Sequence, residues 1–131
     1  IDADGEHDPK DIPLLTKPIQ DDKADLVLGV RGEIPRVSEK VINWLTKRRV
    51  KVTDSCTGCR AMRKTLALKL DLKGQCTCGV LVLEANYYGA RVAEVPINIT
   101  HVDKPRKIAW HHIRQVFHVL VWLLKIKKER S

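Results

Sequence analysis

The sequence predicts one α/β domain, because short apolar runs typical of strands alternate with stretches whose apolar residues recur at helical spacing. A length of 131 residues suits a single domain, and 44% hydrophobic residues can supply a modest core. Residues 24–30 form an apolar run, and residues 36–49 and 107–127 show the helical spacing. The sequence contains no internal repeat and no low-complexity segment.

Capping and turn residues predict the other elements of the first half. Asp8 is a suitable helix N-cap and Pro9 a suitable first helical residue, which predicts a helix that runs to about residue 20. Residues 50–63 predict one or two short strands around a turn at Gly58.

The second half predicts two helices and a strand before the long terminal helix. Residues 65–70 predict a short helix, and residues 75–88 predict a longer one that Gly89 closes. Residues 90–99 alternate and contain Pro96, which cannot donate to a ladder and therefore favours an edge strand.

The charge of the chain is unevenly distributed, although its formal sum is +8. Residues 1–25 hold eight acidic and three basic residues, a net charge of −5. Residues 104–131 hold eight basic residues and one acidic residue, a net charge of +7. This pattern favours a protein that holds a metal at one place and meets anions such as phosphates, lipid head groups or nucleic acid at another. The acidic, turn-rich start is unlike a secretory signal.

The chain begins as if a strand preceded it. Residues 1–5 read as the last step of a strand that runs into a loop, and Met62 is the only methionine. We therefore expect a further segment upstream of Ile1.

Asp2 and Asp4 form the first chemical motif, since carboxylates one residue apart at a strand end can converge on a hard cation. Glu6 offers a third oxygen donor. Magnesium and manganese prefer such ligands and share their shell with substrate phosphates. A solvated acidic turn is the alternative. We expect Asp25 to lie outside this site.

Four segments carry recognisable patterns in a fixed order. Residues 2–9 read DADGEHDP, residues 24–31 read ADLVLGVR, residues 52–61 read VTDSCTGCRA and residues 89–97 read GARVAEVPI. Together they resemble the inverting glycosyltransferases of family two, most closely the dolichyl-phosphate mannose or glucose synthases and their prokaryotic relatives. Glu6 departs from the pattern, since the family usually has glutamine there, but it remains an oxygen donor.

The resemblance implies the C-terminal, acceptor-side half of a GT-A fold, with a mixed sheet flanked by helices. Residues 1–105 would form a partial catalytic domain and residues 106–131 a basic amphipathic helix. The implied activity is transfer of a hexose from a sugar nucleotide, GDP-mannose or UDP-glucose, to a polyprenyl (dolichyl) phosphate. Mg²⁺ or Mn²⁺ would bind at Asp2, Asp4 and Glu6. The N-terminal half would bind the nucleotide, so we expect the chain alone to be inactive.

Cationic side chains would hold the anionic donor and acceptor together. The resemblance assigns catalytic roles to Asp54, Arg31 and Arg60. It assigns phosphate contacts to Arg31, Arg36, Arg60 and Lys107. Ordinary surface arginines and a turn-capping aspartate are the alternatives.

The cysteines occur as Cys56-x-x-Cys59 and Cys76-x-Cys78. A zinc site usually has two C-x-x-C pairs, and the second pair here is one residue short. A zinc site, a disulfide and small buried apolar side chains all remain open, with the last favoured.

The helix predicted at residues 107–127 is basic and amphipathic. Its apolar face consists of Trp110, Ile113, Phe117, Leu120 and Leu124. We expect His111, His112 and His118 on the polar face. The helix fits either a position in a membrane interface or packing on the sheet. The lipid acceptor favours the first, at the cytoplasmic face of a membrane as a peripheral protein.

Two other functions compete with the transferase. A pI near 9.5 and the basic tail suit a nucleic-acid-binding module. The cysteines suit a zinc-ribbon-like interaction module. Neither explains the carboxylate motif or the ordered segments, so we expect a sugar nucleotide, a polyprenyl phosphate and a membrane surface as partners, and no nucleic acid.

Overall fold

A computed structural model of the chain describes residues 1–2, 5–74, 76–100 and 110–129, with side chains described up to residue 126. These residues form a mixed α/β fold. The helices are α1 (Ile12–Gln20), α2 (Val37–Thr46), α3 (Lys64–Ala67), α4 (Val80–Tyr87) and α5 (Trp110–Glu129). The strands are β1 (Leu26–Val30), β2 (Arg60–Met62) and β3 (Val92–Pro96). The predicted α/β class is therefore confirmed, whereas the assignment to half of a GT-A fold stays a prediction.

The strand β1 lies at the centre of a mixed sheet that has three strands within the described residues. It pairs antiparallel with β2 and parallel with β3. The run Leu26–Val30 is almost wholly apolar because both faces of a central strand are covered. The strand β3 lies at an edge of this sheet, as Pro96 predicts.

Successive residues of β1 point to opposite faces of the sheet and so enter different apolar clusters. Leu26 and Leu28 pack in a cluster that includes side chains of α2, α4 and α5. Val27 packs in a smaller cluster with Leu15 of α1 and Cys59. Packing on both faces holds β1 in place. Arg31, the residue directly after β1, lies in the candidate site.

Local capping follows the sequence at the start of α1 and the end of α4. The Asp8 carboxylate accepts a hydrogen bond from the Lys10 backbone N–H at 2.9 Å, which caps the 3-10 turn Pro9–Asp11 that leads into α1. Gly89 has a φ of +77°, and the following N–H of Ala90 donates to the Ala85 carbonyl at 3.0 Å. Both caps confirm the predictions made from Asp8 and Gly89.

The helix α4 begins at Val80, so the prediction of a helix from residue 75 is wrong. The reason is Gly79, which has a φ of +70° and lies against other parts of the fold. A Cβ atom there would lie 2.7 Å from Ile42 and 2.8 Å from the Thr46 hydroxyl. The described residues 71–74 and 76–79, called the 71–79 loop below, form no helix, and Gly79 lies closely against α2.

The helix α5 packs on α2 and α4 through a narrow face. The fully buried residues of that face are His112, Gln115, Val119 and Ile126. The prediction that His112 lies on a polar, solvated face is therefore wrong, because its ring is only 2% exposed. The apolar face that the sequence predicts for this helix points outward, since its members Trp110 and Phe117 are 71% and 65% exposed.

Candidate active site

A cavity of about 400 Å³ collects most of the residues that the sequence predicts for the site. The charged side chains among its described lining are Asp2, Glu6, Glu39, Arg31, Arg36 and Arg60. These carboxylates and guanidinium groups are equal in number, so the described lining can serve a cation and an anion side by side. Asp4 and Lys107 lie outside the described residues.

Arg31 occupies the position directly after β1 and is 5% exposed. Its Nε donates to Asp54 Oδ2 at 2.7 Å, and its Nη2 donates to Asp54 Oδ1 at 2.8 Å and to Glu39 Oε2 at 3.0 Å. Burial alone would lower the pKa of Arg31, but the bonds and charges of Asp54 and Glu39 raise that pKa above its ordinary value. Arg31 is therefore a fixed positive charge.

Arg36 lies at the N-cap of α2 and forms a looser ion pair, with 3.5 Å between its Nη1 and Glu39 Oε1. Its Nε is buried and has no hydrogen-bond partner among the described residues. A buried donor without a partner is unfavourable, because it has lost its bonds to water. Arg36 lines the cavity, so an anion bound there could accept a hydrogen bond from its Nε.

Arg60 opens β2 and is held at both ends of its guanidinium. Its Nη2 donates to the Thr57 carbonyl at 2.6 Å, and its Nη1 donates to the Thr77 hydroxyl at 2.9 Å. The side chain thereby links the turn before β2 to the 71–79 loop. Arg60 and Thr77 both line the cavity, so this link shapes one of its walls.

The carboxylates Asp2 and Glu6 line the same cavity in different environments. Asp2 is exposed and its carboxylate lies directly over Gly58, where any side chain would collide with it. Glu6 is 5% exposed. Gly58 thus has a second use besides the predicted turn, since it lets an acidic side chain approach the backbone of the loop.

Hydrogen bonds attach residues 6–11, which follow the Asp2 and Asp4 motif, to the chain after β3. The Thr100 N–H donates to the Glu6 carbonyl at 3.0 Å, and His7 forms an antiparallel bridge with Ile99. The Asn98 N–H donates to the Asp11 carboxylate at 2.9 Å. These contacts hold residues 6–11 beside the sheet. Glu6 thereby lines the same cavity as the three arginines.

Glu39 and Glu94 organise the site but were not singled out from the sequence. Glu94 of β3 accepts from the Thr53 N–H at 2.6 Å and the Asp54 N–H at 3.1 Å, which fixes the loop that carries Asp54. Sequence signals existed for both. Glu39 follows Arg36 by three residues on a helix, a spacing that allows an ion pair. Glu94 is a charged residue within an otherwise apolar strand, where it needs a partner.

The cysteines do not act as two C-x-x-C pairs. Cys59 packs in the small apolar cluster with Leu15, whereas Cys56 packs in the main cluster on the other side of the sheet. Cys59 therefore fits the interpretation as a small buried apolar side chain. Cys76 and Cys78 lie together at the cavity wall, next to His112. All four cysteines are free thiols.

Asp25 lies away from this cavity, as expected, but it is not an isolated carboxylate. It forms ion pairs with Arg63 at 2.9 Å and with Arg91 at 3.0 Å, and Asp22 pairs with the same two arginines. Hydrogen bonds from Arg91 hold the pKa of Asp25 well below its ordinary range. This network joins the turn before β1 to the segments that flank β2 and β3.

Within the part of the chain that the structure describes, no helix combines the length and apolar character needed to cross a bilayer. The outward face of α5 is nevertheless strongly apolar. Its described exposed members are Trp110, Ile113, Phe117, Leu120, Val121 and Leu124. A contiguous apolar face of this kind on a helix surface favours contact with a partner or a membrane.

Comparison with known proteins adds an independent finding. The chain is 30% identical over 119 residues to the UDP-N-acetylglucosamine–dolichyl-phosphate N-acetylglucosaminyltransferase of Methanococcus voltae, a match that covers 79% of this chain and 47% of that protein. The similarity supports a glycosyltransferase relationship. An uncharacterized protein of Methanocaldococcus jannaschii is 29% identical over 119 residues, covering 79% of this chain and 49% of that protein.

The chain spans about half the length of these curated relatives. It matches no protein-family model.

Proposed function

We propose that this chain forms the acceptor-side part of a metal-dependent glycosyltransferase that moves a sugar from a sugar nucleotide to a polyprenyl phosphate. The observation that carries this proposal is the cavity, where acidic oxygen donors and arginines face the same space. The similarity to a transferase whose named acceptor is dolichyl phosphate supports the same reaction.

The proposed reaction joins two anions. A phosphate oxygen of the polyprenyl phosphate attacks the anomeric carbon of the sugar, the bond from that carbon to the diphosphate breaks, and the nucleoside diphosphate leaves. The attacking phosphate is already ionised near neutral pH, so the site does not need a strong general base. It needs positive charge around both partners.

The acidic segment is the proposed metal site. Asp2 and Glu6 supply hard oxygen donors at the cavity, and Asp4, which lies outside the described residues, is proposed as the third ligand. A bound Mg²⁺ or Mn²⁺ would neutralise charge on the departing diphosphate.

The arginines are proposed to hold the phosphates, in different ways. Arg36 has a buried, unsatisfied Nε, and Arg60 is fixed at the wall, so both suit direct phosphate contact. Arg31 is held by Asp54 and Glu39, so its proposed part is a fixed positive charge at the edge of the site. Lys107 stays a proposed phosphate contact outside the described residues.

The outward apolar face of α5 is the proposed membrane contact. Trp110 stands near the start of the helix, and Arg114 and Lys125 add positive charge along it. A helix of this composition can lie in the interface of an anionic membrane, where the polyprenyl acceptor resides. A peripheral position on the cytoplasmic face of the membrane is part of this proposal.

The direct test is an assay of a protein that contains this chain, with radiolabelled GDP-mannose, UDP-glucose and UDP-N-acetylglucosamine as donors and a short polyprenyl phosphate as acceptor. We expect label in the lipid phase with one of these donors, and loss of that signal in the presence of a chelator. Transfer that a chelator leaves unchanged would contradict the metal assignment. Failure with every donor would contradict the reaction itself.

A further inference from the structure

Cys76, Cys78 and His112 place their ligating atoms within 4.8 Å of one another, although His112 is far from the cysteines in sequence. The Sγ atoms of Cys76 and Cys78 are 2.6 Å apart, and Cys78 Sγ is 3.6 Å from His112 Nε2. The loop before α4 supplies the thiols, and the first turn of α5 supplies the imidazole. Tertiary folding therefore brings these three groups to a common point.

Thiols and an imidazole are the ligands that zinc prefers, and they are poor ligands for magnesium or calcium. Cys78 and His112 are 7% and 2% exposed, and all three groups line the wall of the cavity. Within the described part of the chain, no other three Cys, His, Asp or Glu side chains converge as closely. We propose that Cys76, Cys78 and His112 bind one zinc ion.

The surroundings of His112 support this assignment. Its Nδ1 lies 2.7 Å from the Ser38 hydroxyl, so a hydrogen bond on one side of the ring directs Nε2 towards Cys78. Zinc-binding histidines are oriented in this way by a partner on the second nitrogen.

The loop that carries the thiols is held in place from both sides. The Gln115 amide donates to the Cys78 carbonyl at 3.0 Å, and Arg60 donates to the Thr77 hydroxyl at 2.9 Å. The Cys78 N–H donates to Cys76 Sγ at 3.2 Å, a bond that stabilises negative charge on sulfur. A fixed loop reduces the entropy that metal binding would otherwise cost.

The thiols themselves are not poised to ionise without a cation. A hydrogen bond with Cys56 and burial raise the pKa of Cys78 to about 12. A hydrogen bond with Cys78 and burial likewise raise the pKa of Cys76 above its ordinary value. Zinc overcomes such a preference because it deprotonates a coordinating thiol directly.

Other roles for this cluster leave part of the geometry unexplained. Small buried apolar residues would not need an imidazole nitrogen directed at a sulfur atom. A disulfide between Cys76 and Cys78 would enclose a single residue and would give His112 no role. Cys56 also lines this cavity, but it is not one of the three groups whose ligating atoms converge. Zinc here would tie α5 to the 71–79 loop and so brace the wall that Arg60 contacts.

The test measures zinc in the purified 131-residue chain after reconstitution with zinc under reducing conditions and removal of the excess. Elemental analysis should find about one zinc ion per chain. Cys76→Ser, Cys78→Ser and His112→Gln should each lower this value towards zero. Cys59→Ser is the matched control, since Cys59 is a buried thiol in the other apolar cluster, and it should keep the zinc.

Cobalt substitution of the unmodified chain provides a measurement that does not depend on the folding of variants. Co²⁺ should produce thiolate-to-metal charge-transfer absorption and the intense visible bands of tetrahedral coordination. A carboxylate site would not produce the charge-transfer band. The proposal is overturned if the unmodified chain takes up neither metal, if the three variants retain zinc as the control does, or if mass analysis finds a Cys76–Cys78 disulfide in place of the metal.

Discussion

Arg31 and Asp54 form a buried bidentate ion pair that connects the end of β1 to the loop before β2. The two bonds measure 2.7 and 2.8 Å, and the side chains are 3% and 1% exposed. The Asp54 carboxylate also accepts from the Arg31 backbone N–H at 3.2 Å. Because both charges are removed from water, each depends on the other for its stability.

Asp54→Asn should destabilise the chain strongly. The change keeps the volume of the side chain but removes the charge that balances Arg31 in the interior. Breaking a buried pair on one side costs about 3–5 kcal/mol, and Glu39 should limit the loss to the lower part of that range. Urea unfolding followed by circular dichroism measures the change in the free energy of unfolding.

Asp71→Asn is the control for this prediction. Asp71 pairs with Lys73 at 3.2 Å, but both side chains are well exposed, at 66% and 77%. Such a pair contributes roughly 0–1 kcal/mol. If both variants lost the same small amount of stability, the buried network would not contribute to folding as argued here.

The sequence predicted those elements that depend on local patterns. The strand β1 and the helices α2 and α5 follow from runs and periodicity, and the caps at Asp8 and Gly89 follow from single residues. The start of α4 depends on contacts of Gly79 with Ile42 and Thr46, which lie more than 30 positions earlier. Periodicity cannot reveal such contacts, so the helix was predicted too long.

Only part of the candidate site could be predicted from the sequence, because local motifs can be recognised there and tertiary contacts cannot. Arg31 and Arg60 were expected at the site because each belongs to a recognisable motif, and Arg36, which lies outside the motifs, was a looser candidate. All three line one cavity. Some of their partners belong to other segments of the chain, as the hydrogen bond from Arg60 to the Thr77 hydroxyl illustrates. The convergence of His112 with the 71–79 loop was missed because burial of a polar residue on an amphipathic helix contradicts the helical pattern.

The network of Asp22 and Asp25 with Arg63 and Arg91 should make stability fall in acid. Hydrogen bonds from Arg91 lower the pKa of both carboxylates. A lowered pKa in the folded state means that the unfolded chain binds protons first. This contribution to stability is therefore complete above a pH of about 4, the ordinary pKa of an aspartate, and is lost as the pH falls towards the lower pKa of the folded state.

Unfolding by urea at a series of pH values tests this expectation with Asp25→Asn. The variant should be less stable than the unmodified chain at pH 7, and the difference should shrink below a pH of about 4. Asp25 is consequently unsuitable as a neutral control in experiments on the active site. A difference that stayed constant down to pH 2 would mean that another effect, such as packing, causes the loss.

Asp2→Asn and Asp4→Asn should lower sugar transfer without unfolding the protein. Each change keeps the volume of the side chain and removes one charge from the proposed hard-cation site. Loss of one stabilising contact to the developing charge costs on the order of 100-fold in rate. Excess Mn²⁺ should restore part of the activity if weakened metal binding is the cause.

Asp71→Asn again serves as the matched control, because Asp71 is an exposed aspartate that does not line the cavity. It should leave both the rate and the dependence on Mn²⁺ unchanged. Nearly full, metal-dependent transfer by Asp4→Asn would remove the acidic segment from the proposed mechanism and leave the arginines as its main support.

The outward face of α5 should bind vesicles that contain anionic lipid. The double change of Phe117→Gln and Leu124→Gln removes two side chains that are 65% and 69% exposed, so the free energy of unfolding should change by no more than about 0.5 kcal/mol per site. Vesicle affinity should fall about tenfold or more for each side chain, because burying a large apolar side chain contributes roughly 1.5–3 kcal/mol. Sedimentation with vesicles measures the lipid affinity of the unmodified chain and of the double variant.

Leu68→Gln provides the control for this experiment, since Leu68 is 77% exposed at the end of α3 and so has the same chemistry at another place. Substitutions are preferable to removal of α5, because Val119 and Ile126 are buried and their loss would open the core. Added salt should weaken binding further, as basic residues near an anionic surface contribute about 1 kcal/mol each. If the double variant and the control bound vesicles as tightly as the unmodified chain, the exposed face of α5 would not be the membrane contact.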